Sequence, residues 1–335
     1  MHIQWVGSAA VAIVLAAGLA PSAYAQDAKA AEVIARTRTA IGGAKLEALK
    51  TLSLQASMDR NIGTRQMTAA IEMFLELPDK FLRSEVSSGM MNMTMNSGFN
   101  GDKALTPVGG NVSMAPGGAM IFRMGPGGPT GPSPDAVKPT PEQLEEMNRM
   151  AVRGARAELS RMMLGWFGTA HPSLQAQYTY VGEAESPDGK AHVIDVKNAD
   201  GFSARLFIDQ NNHLPLMVTY QGRQPRIVTS GGPMVMTGGA AAQHPQPQTQ
   251  TQARPMTDEE RQKIQADLEK RVTAAAAEQP TVEFSLFFDD WREVDGVQFP
   301  HKMRRAVGGE TNEEWTVSKV KVNPKIDAKK FAIDK

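Results

Sequence analysis

"FFDDWREVDGVQFPHKM", residues 287 to 303, decides how the rest of the chain is to be read. It crowds three aspartates and a glutamate around aromatics, a histidine and a proline. That composition suits either an acidic catalytic or metal site or a piece of β architecture. Asp295-Gly296 between apolar runs is the strongest short-range sign of a two-residue β-turn, because both central positions need positive φ, which Gly adopts freely and Asp tolerates. Such a turn pairs Val294 with Val297, Glu293 with Gln298, Arg292 with Phe299, Asp290 with His301, Asp289 with Lys302 and Phe288 with Met303. Asp289 and Asp290 then point to opposite faces and cannot share one metal or one proton. Instead they face basic or titratable partners across the hairpin, which is a pattern of cross-strand charge pairs. The stretch is scaffold.

Upstream the same alternation recurs. In "RQMTAAIEMFLEL", residues 65 to 77, Met67, Ala69, Ile71, Met73, Leu75 and Leu77 take one face and Gln66, Thr68, Glu72 and Glu76 the other. This is the signature of a half-buried antiparallel strand. "LSLQASMD" before it and "DKFLRSEVSS" and "MNMTMNSGF" after it read alike, and from about 176 the chain forms a meander of four strands. A third strand around "EEWTVSKVKV" and a short turn near Phe331 follow the hairpin.

Helices are few. One is predicted from Asp27, as cap, to Gly42-Gly43, with Val33, Ile34, Thr37 and Ile41 as its apolar stripe. A second opens at Thr140-Pro141-Glu142-Gln143, a capping box with Pro at the first position. Its apolar face is Leu144, Met147, Ala151, Ala155, Leu159, Met162 and Met163. A third, from Thr257 to about Ala277, has a thin stripe and is expected on the surface. Two low-complexity insertions, about 107–139 and 230–256, are Gly/Pro-rich or Gln-rich and are expected to lack regular elements. The fold class is therefore α+β: a large curved antiparallel sheet of about eleven strands with helices covering one face.

Composition bounds the function. Lys plus Arg (36) equals Asp plus Glu (36), and this neutrality argues against nucleic acid or an anionic membrane as main partner. Residues 1–25 read as a signal peptide: "VGSAAVAIVLAAGLA" is an apolar run too short to span a bilayer and "AYA" is a small-x-small site cleaved after Ala25. Export without a single cysteine indicates the bacterial periplasm and a stability resting on a core, in one domain over 26–335.

Several segments in order resemble the periplasmic outer-membrane lipoprotein-sorting proteins, the LolA-like family: a helix after the signal, "LPDKF" (77 to 81), "FNGDKAL" (99 to 105), "FDDWREVDGVQFP" and "VNPKIDAKKFAI" (322 to 333). The resemblance implies an incomplete β-barrel with helices closing its mouth, and a cavity for acyl chains. In the carriers a basic residue precedes the proline that ends the long strand and helps hold the lid. Here that position is Leu77, which implies binding of lipid without efficient passing on.

The ligand-lining set expected from this is Met67, Ile71, Met73, Leu75, Leu77, Met91, Met93 and Met95. The chain holds twenty methionines. Met91, Met93 and Met95 alternate onto one strand face, where thioethers can fill a core, line an adaptable apolar site or bind Cu(I). With no histidine or cysteine beside them, copper is the weakest of the three. Ser318 and Lys321 form a Ser-x-x-Lys string, but a strand points them opposite ways. The chain has no Gly-x-Ser-x-Gly, phosphate loop, dinucleotide fingerprint or histidine pair at metal-ligand spacing. The expected function is a non-enzymatic, cofactor-free and metal-free carrier or binder of a lipid or lipoprotein acyl chain. The alternative is an envelope interaction protein whose insertions bind a protein partner.

Overall fold

The computed structural model describes residues 23–62, 65–88, 93–105, 112–114, 120–122, 140–186, 189–223, 227–229, 232–234 and 280–332. The signal segment to residue 22, Met91 and the expected helix over 257–277 lie outside these.

Helices α1 (Ala23–Ile41) and α2 (Ala44–Glu47) precede strands β1 (Thr51–Ile62), β2 (Arg65–Glu76), β3 (Lys80–Ser88), β4 (Met93–Asn100) and β5 (Lys103–Ala104). Short strands β6 (Val112–Met114) and β7 (Met120–Phe122) lead to the long helix α3 (Pro141–Phe167). The meander follows as β8 (Gln177–Ser186), β9 (Gly189–Lys197), β10 (Ser203–Asp209) and β11 (Pro215–Arg223), then short β12 (Ile227–Thr229) and β13 (Gly232–Met234). Strands β14 (Thr281–Val294), β15 (Val297–Val307) and β16 (Glu310–Val322) close the chain with a 3-10 turn, Ala328–Phe331.

Twelve strands form one antiparallel sheet in the order β5-β4-β3-β2-β1-β16-β15-β14-β11-β10-β9-β8, open between β5 and β8. The expected α+β class is what is found. The β14–β15 hairpin turns at Asp295 (φ 53) and Gly296 (φ 82), both positive as a two-residue turn requires. The register is the one the turn dictates, from Val294↔Val297 to Phe288↔Met303, but the ladder skips Asp290. Asp290 takes φ 55 and both its oxygens turn onto Arg292, at 3.0 and 2.7 Å. The expected Asp290–His301 row is therefore not formed. His301 is buried, with its ring Nδ1 3.0 Å from the Phe299 carbonyl.

One sheet face carries the core. Leu52, Leu54, Ala56 and Met58 of β1 lie opposite Leu75, Met73, Ile71 and Ala69 of β2, and all eight are buried. Helix α1 packs on β8 and β15, and Val33, Ile34, Thr37 and Ile41 are buried as their spacing predicts. Asp27 does not cap it: the helix begins at Ala23, and Asp27 accepts a 3.0 Å hydrogen bond from the Thr179 hydroxyl of β8.

Helix α3 has the predicted start, with Thr140 and Gln143 forming the reciprocal capping box, and it stops at Gly168 in the left-handed region (φ 72). It lies across the same face, touching β4 and β5 at one side and β10, β11 and β14 at the other. Its predicted stripe is buried only from Ala155 onward; Leu144 is exposed. Trp166 and Phe167 complete the buried end against Phe299, with ring centroids 5.2 and 6.5 Å from it. Each such side chain contributes about 1.5–3 kcal/mol on burial.

The insertions required a correction. They contribute strands to a second, four-stranded sheet, β13-β12-β7-β6, in which Val228 pairs in parallel with Ile121. The triplets Val-Ser-Met, Met-Ile-Phe and Ile-Val-Thr have the composition of strands, and pairing satisfies their backbone groups. Two of its pairings are local, β6 with β7 and β12 with β13, but the one that joins them, Val228 to Ile121, is between segments about a hundred residues apart and shows in neither alone.

Candidate functional site

Where α3 crosses the sheet, the apolar face is interrupted by charge. Register places Arg83 beside Met73 and Glu85 beside Ile71, while Arg60 of β1 meets Glu313 of β16, which in turn meets Arg305 of β15. These are inward positions of strands whose other inward residues are apolar. Arg60 Nε donates to Glu313 at 2.9 Å, and its Nη1 and Nη2 donate to the two Glu85 oxygens at 3.0 and 3.2 Å. Arg305 Nη2 lies 2.7 Å from Glu313, and Trp315 Nε1 donates to Glu313 at 2.6 Å. Arg83 Nη2 donates to Glu85 at 3.1 Å while its Nη1 reaches across to Glu158 of α3 at 2.6 Å. The Arg83 guanidinium also sits 4.8 Å over the Trp315 ring.

Burial alone would raise the Glu313 carboxyl, but Arg305, Arg83 and Arg60 outweigh it and hold the pKa down at about 2. Arg161, one turn along α3 from Glu158, lies 4.1 Å over the Tyr220 ring. Its Nε is buried with no hydrogen-bond partner, and burial pushes its pKa down.

Between these groups is a small cavity of about 70 Å³ that opens to solvent. Its charged lining is Arg83, Glu158, Arg161, Arg304, Arg305 and Glu313; its apolar walls include Met162, Leu286, Phe288 and Met303. Convergent polar groups on an apolar wall are the mark of small-ligand sites, and at this size, against the ~300–1,000 Å³ usual for them, the cavity holds a head group rather than a whole amphiphile unless α3 moves. A wider groove of about 640 Å³ runs between α1 and β8 at the sheet edge, but no comparable charge cluster lines it.

The expected lining residues fall in several places. Ile71, Met73 and Leu75 are buried in the main core, and Leu77, one residue past β2, packs partly against it. Met67 is exposed at the far end of β2. Met95 is half-buried in the Ile71–Glu85–Met95 row, and Met93 follows it at the start of β4. Among the described side chains, none of Met67, Ile71, Met73, Leu75, Leu77 and Met95 lines the pocket at α3.

The charged cluster was missed in the sequence, although a signal was there: Arg60, Arg83, Glu85 and Glu313 occupy positions that the strand period assigns to the apolar face. His171 was missed as well. It is buried just after α3, with Nε2 2.7 Å from the Pro78 carbonyl and Nδ1 accepting from the Ser173 N–H at 3.3 Å. It thus ties the end of α3 to the turn after Leu77, and burial pushes its pKa down.

No protein-family model matches the chain, and no curated protein matches it. Among solved structures, it is similar to an outer membrane lipoprotein-sorting protein domain from Vibrio parahaemolyticus, with 10% identity over 91% of this chain and 97% of that one and a TM-score of 0.42. It is similar to a LolA superfamily protein from Nitrosomonas europaea, with 7% identity, 90% and 97% coverage and a TM-score of 0.43. A DUF1329 family protein from Desulfovibrio piger gives 10%, 92% and 97%, and 0.41.

Proposed function

We propose that the protein is an exported, periplasmic, single-domain binder or carrier of a lipid or lipoprotein acyl chain, held between the apolar sheet face and α3. The observation that carries this is the seam under α3. A helix that crosses the open sheet is bedded on hydrocarbon at its Trp166–Phe167 end, yet one turn from Arg161, unpaired among the described residues, it rests, through Glu158, on an ion pair with Arg83 beside a pocket. Interlocked side chains hold one packing, whereas ion pairs can exchange partners with water or ligand. The helix can therefore lift from the charged side while its aromatic end stays anchored.

In this reading Ile71, Met73, Leu75, Leu77 and Met95 line the space that α3 opens, and Met67 marks its rim. Burying about ten methylenes at about 0.8 kcal/mol each gives roughly 8 kcal/mol, equivalent to about micromolar affinity before ordering costs. No step of bond chemistry is required. The test is to purify the protein after export, extract it and analyse the extract by mass spectrometry, alongside displacement of a fluorescent fatty acid. Co-purified lipid with saturable displacement is expected; neither would overturn the proposal.

A further inference from the structure

The charge count of the seam does not balance. Among the described residues, Arg60, Arg83 and Arg305 are matched by Glu85, Glu158 and Glu313, each carboxylate within 3.1 Å of at least one of those guanidiniums. Arg161 is the fourth guanidinium, and no described carboxylate ion-pairs with it. The nearest acid along its own helix, Glu158, is already held by Arg83 at 2.6 Å. Arg304 also borders the pocket, but its Nη1 donates to Thr311 and its guanidinium lies 4.0 Å over Phe287.

An arginine cannot relieve burial by losing its proton, so an uncompensated guanidinium is a standing cost. Arg161 is half-buried, flattened on Tyr220, with Nε facing no acceptor. An oxyanion in the pocket would supply both the missing charge and the missing acceptor. The same pocket is also walled by the apolar side chains of Met162, Leu286, Phe288 and Met303.

We propose that this pocket is a head-group site: Arg161 takes the carboxylate or phosphate of a single-chain anionic amphiphile whose hydrocarbon lies along the apolar wall. The assignment rests on the lipid-binding reading above and narrows it to anionic ligands. A planar fork with several donors suits either oxyanion.

The test uses the exported full-length protein loaded with the neutral probe N-phenyl-1-naphthylamine. Hexadecanoate, hexadecyl phosphate, hexadecanol and inorganic phosphate are the competitors. The two long-chain anions are expected to displace the probe at least about tenfold more tightly than hexadecanol, the margin of one charge-assisted hydrogen bond. Whichever of the two is tighter identifies the head group. Arg161→Met should remove that preference and leave hexadecanol within about twofold of its wild-type value; Arg161→Lys should keep part of the preference, provided both variants melt cooperatively. Equal binding of hexadecanol and the anions by the wild-type protein overturns the head-group site while leaving the carrier reading intact, and needs no variant. Inorganic phosphate competing as well as hexadecyl phosphate overturns the amphiphile assignment. If no long-chain compound displaces the probe, the carrier reading itself falls.

Discussion

Arg83 on β3 reaches across to Glu158 on α3 with an Nη1–Oε1 distance of 2.6 Å, and this pair ties the helix to the sheet beneath it. Leu77, one residue past β2, packs partly against the core instead.

The two halves of this pair are unequal. Arg83 is 12% exposed and serves both Glu85 and Glu158, whereas Glu158 is 37% exposed. Arg83→Met should cost about 3 kcal/mol, since Glu85, Glu158 and Glu313 are then left with only Arg60 and Arg305 among the cluster's guanidiniums to balance them. Glu158→Gln should cost about 1 kcal/mol or less, because water screens that end. Urea melts of the two variants check the order, and equal losses would refute it.

Release of ligand should follow the same tie. Glu158→Gln is expected to speed loss of a bound fluorescent fatty acid about fivefold, in keeping with roughly 1 kcal/mol off the barrier. Leu77→Arg should also speed release, because it sets a guanidinium in the apolar lining proposed above, where Leu77 now packs against the core. Stopped-flow dilution into acceptor vesicles measures both; faster release from Leu77→Arg alone would place the control at Leu77.

Acid should unfold the protein through the cluster. Glu313 falls from the usual 4.5 to about 2 in the folded state. A carboxyl depressed on folding contributes stability that is present above its unfolded pKa and lost as pH drops through the folded one. The window is therefore pH 4.5 down to 2, and the amount is about 3 kcal/mol. The stability gap between wild type and Glu313→Gln should shrink across that window, as followed by denaturant melts at successive pH values. A gap that stays constant from pH 6 to pH 2 would show that Glu313 does not carry the effect.

Two glycines on α3 should respond with opposite signs. A Cβ at Gly165 would overlap the Phe288 ring, itself buried at 2% exposure, while a Cβ at Gly154 meets nothing within 4 Å. Gly154→Ala should stabilise by about 0.5–1 kcal/mol through helix propensity. Gly165→Ala should destabilise by about 1–3 kcal/mol through overpacking. Thermal melts of the pair decide it, and a stabilised Gly165→Ala would mean that α3 sits further from the sheet than described.

The sequence by itself determined the elements whose signals are local. The Asp295-Gly296 turn fixed a register that held from Val294↔Val297 to Phe288↔Met303, because a two-residue loop leaves one pairing open. The Thr140–Gln143 box set the start of α3, and period-two alternation put Ile71, Met73 and Leu75 on the buried face. Only the tertiary structure decided what required distant segments to meet. Val228 finds Ile121 in a second sheet, and Asp290 leaves His301 for Arg292 because its backbone turns out of the ladder. The gathering of Arg60, Arg83, Glu85, Glu158, Arg305 and Glu313 spans five elements of the chain, and each charge looks like an isolated exception to its own strand or helix pattern. A buried charge is tolerable only beside its counter-charge, and that pairing is fixed when the sheet closes under α3. Leaving Arg161 outside the balance was therefore a decision of the fold as a whole, made where no local pattern could register it.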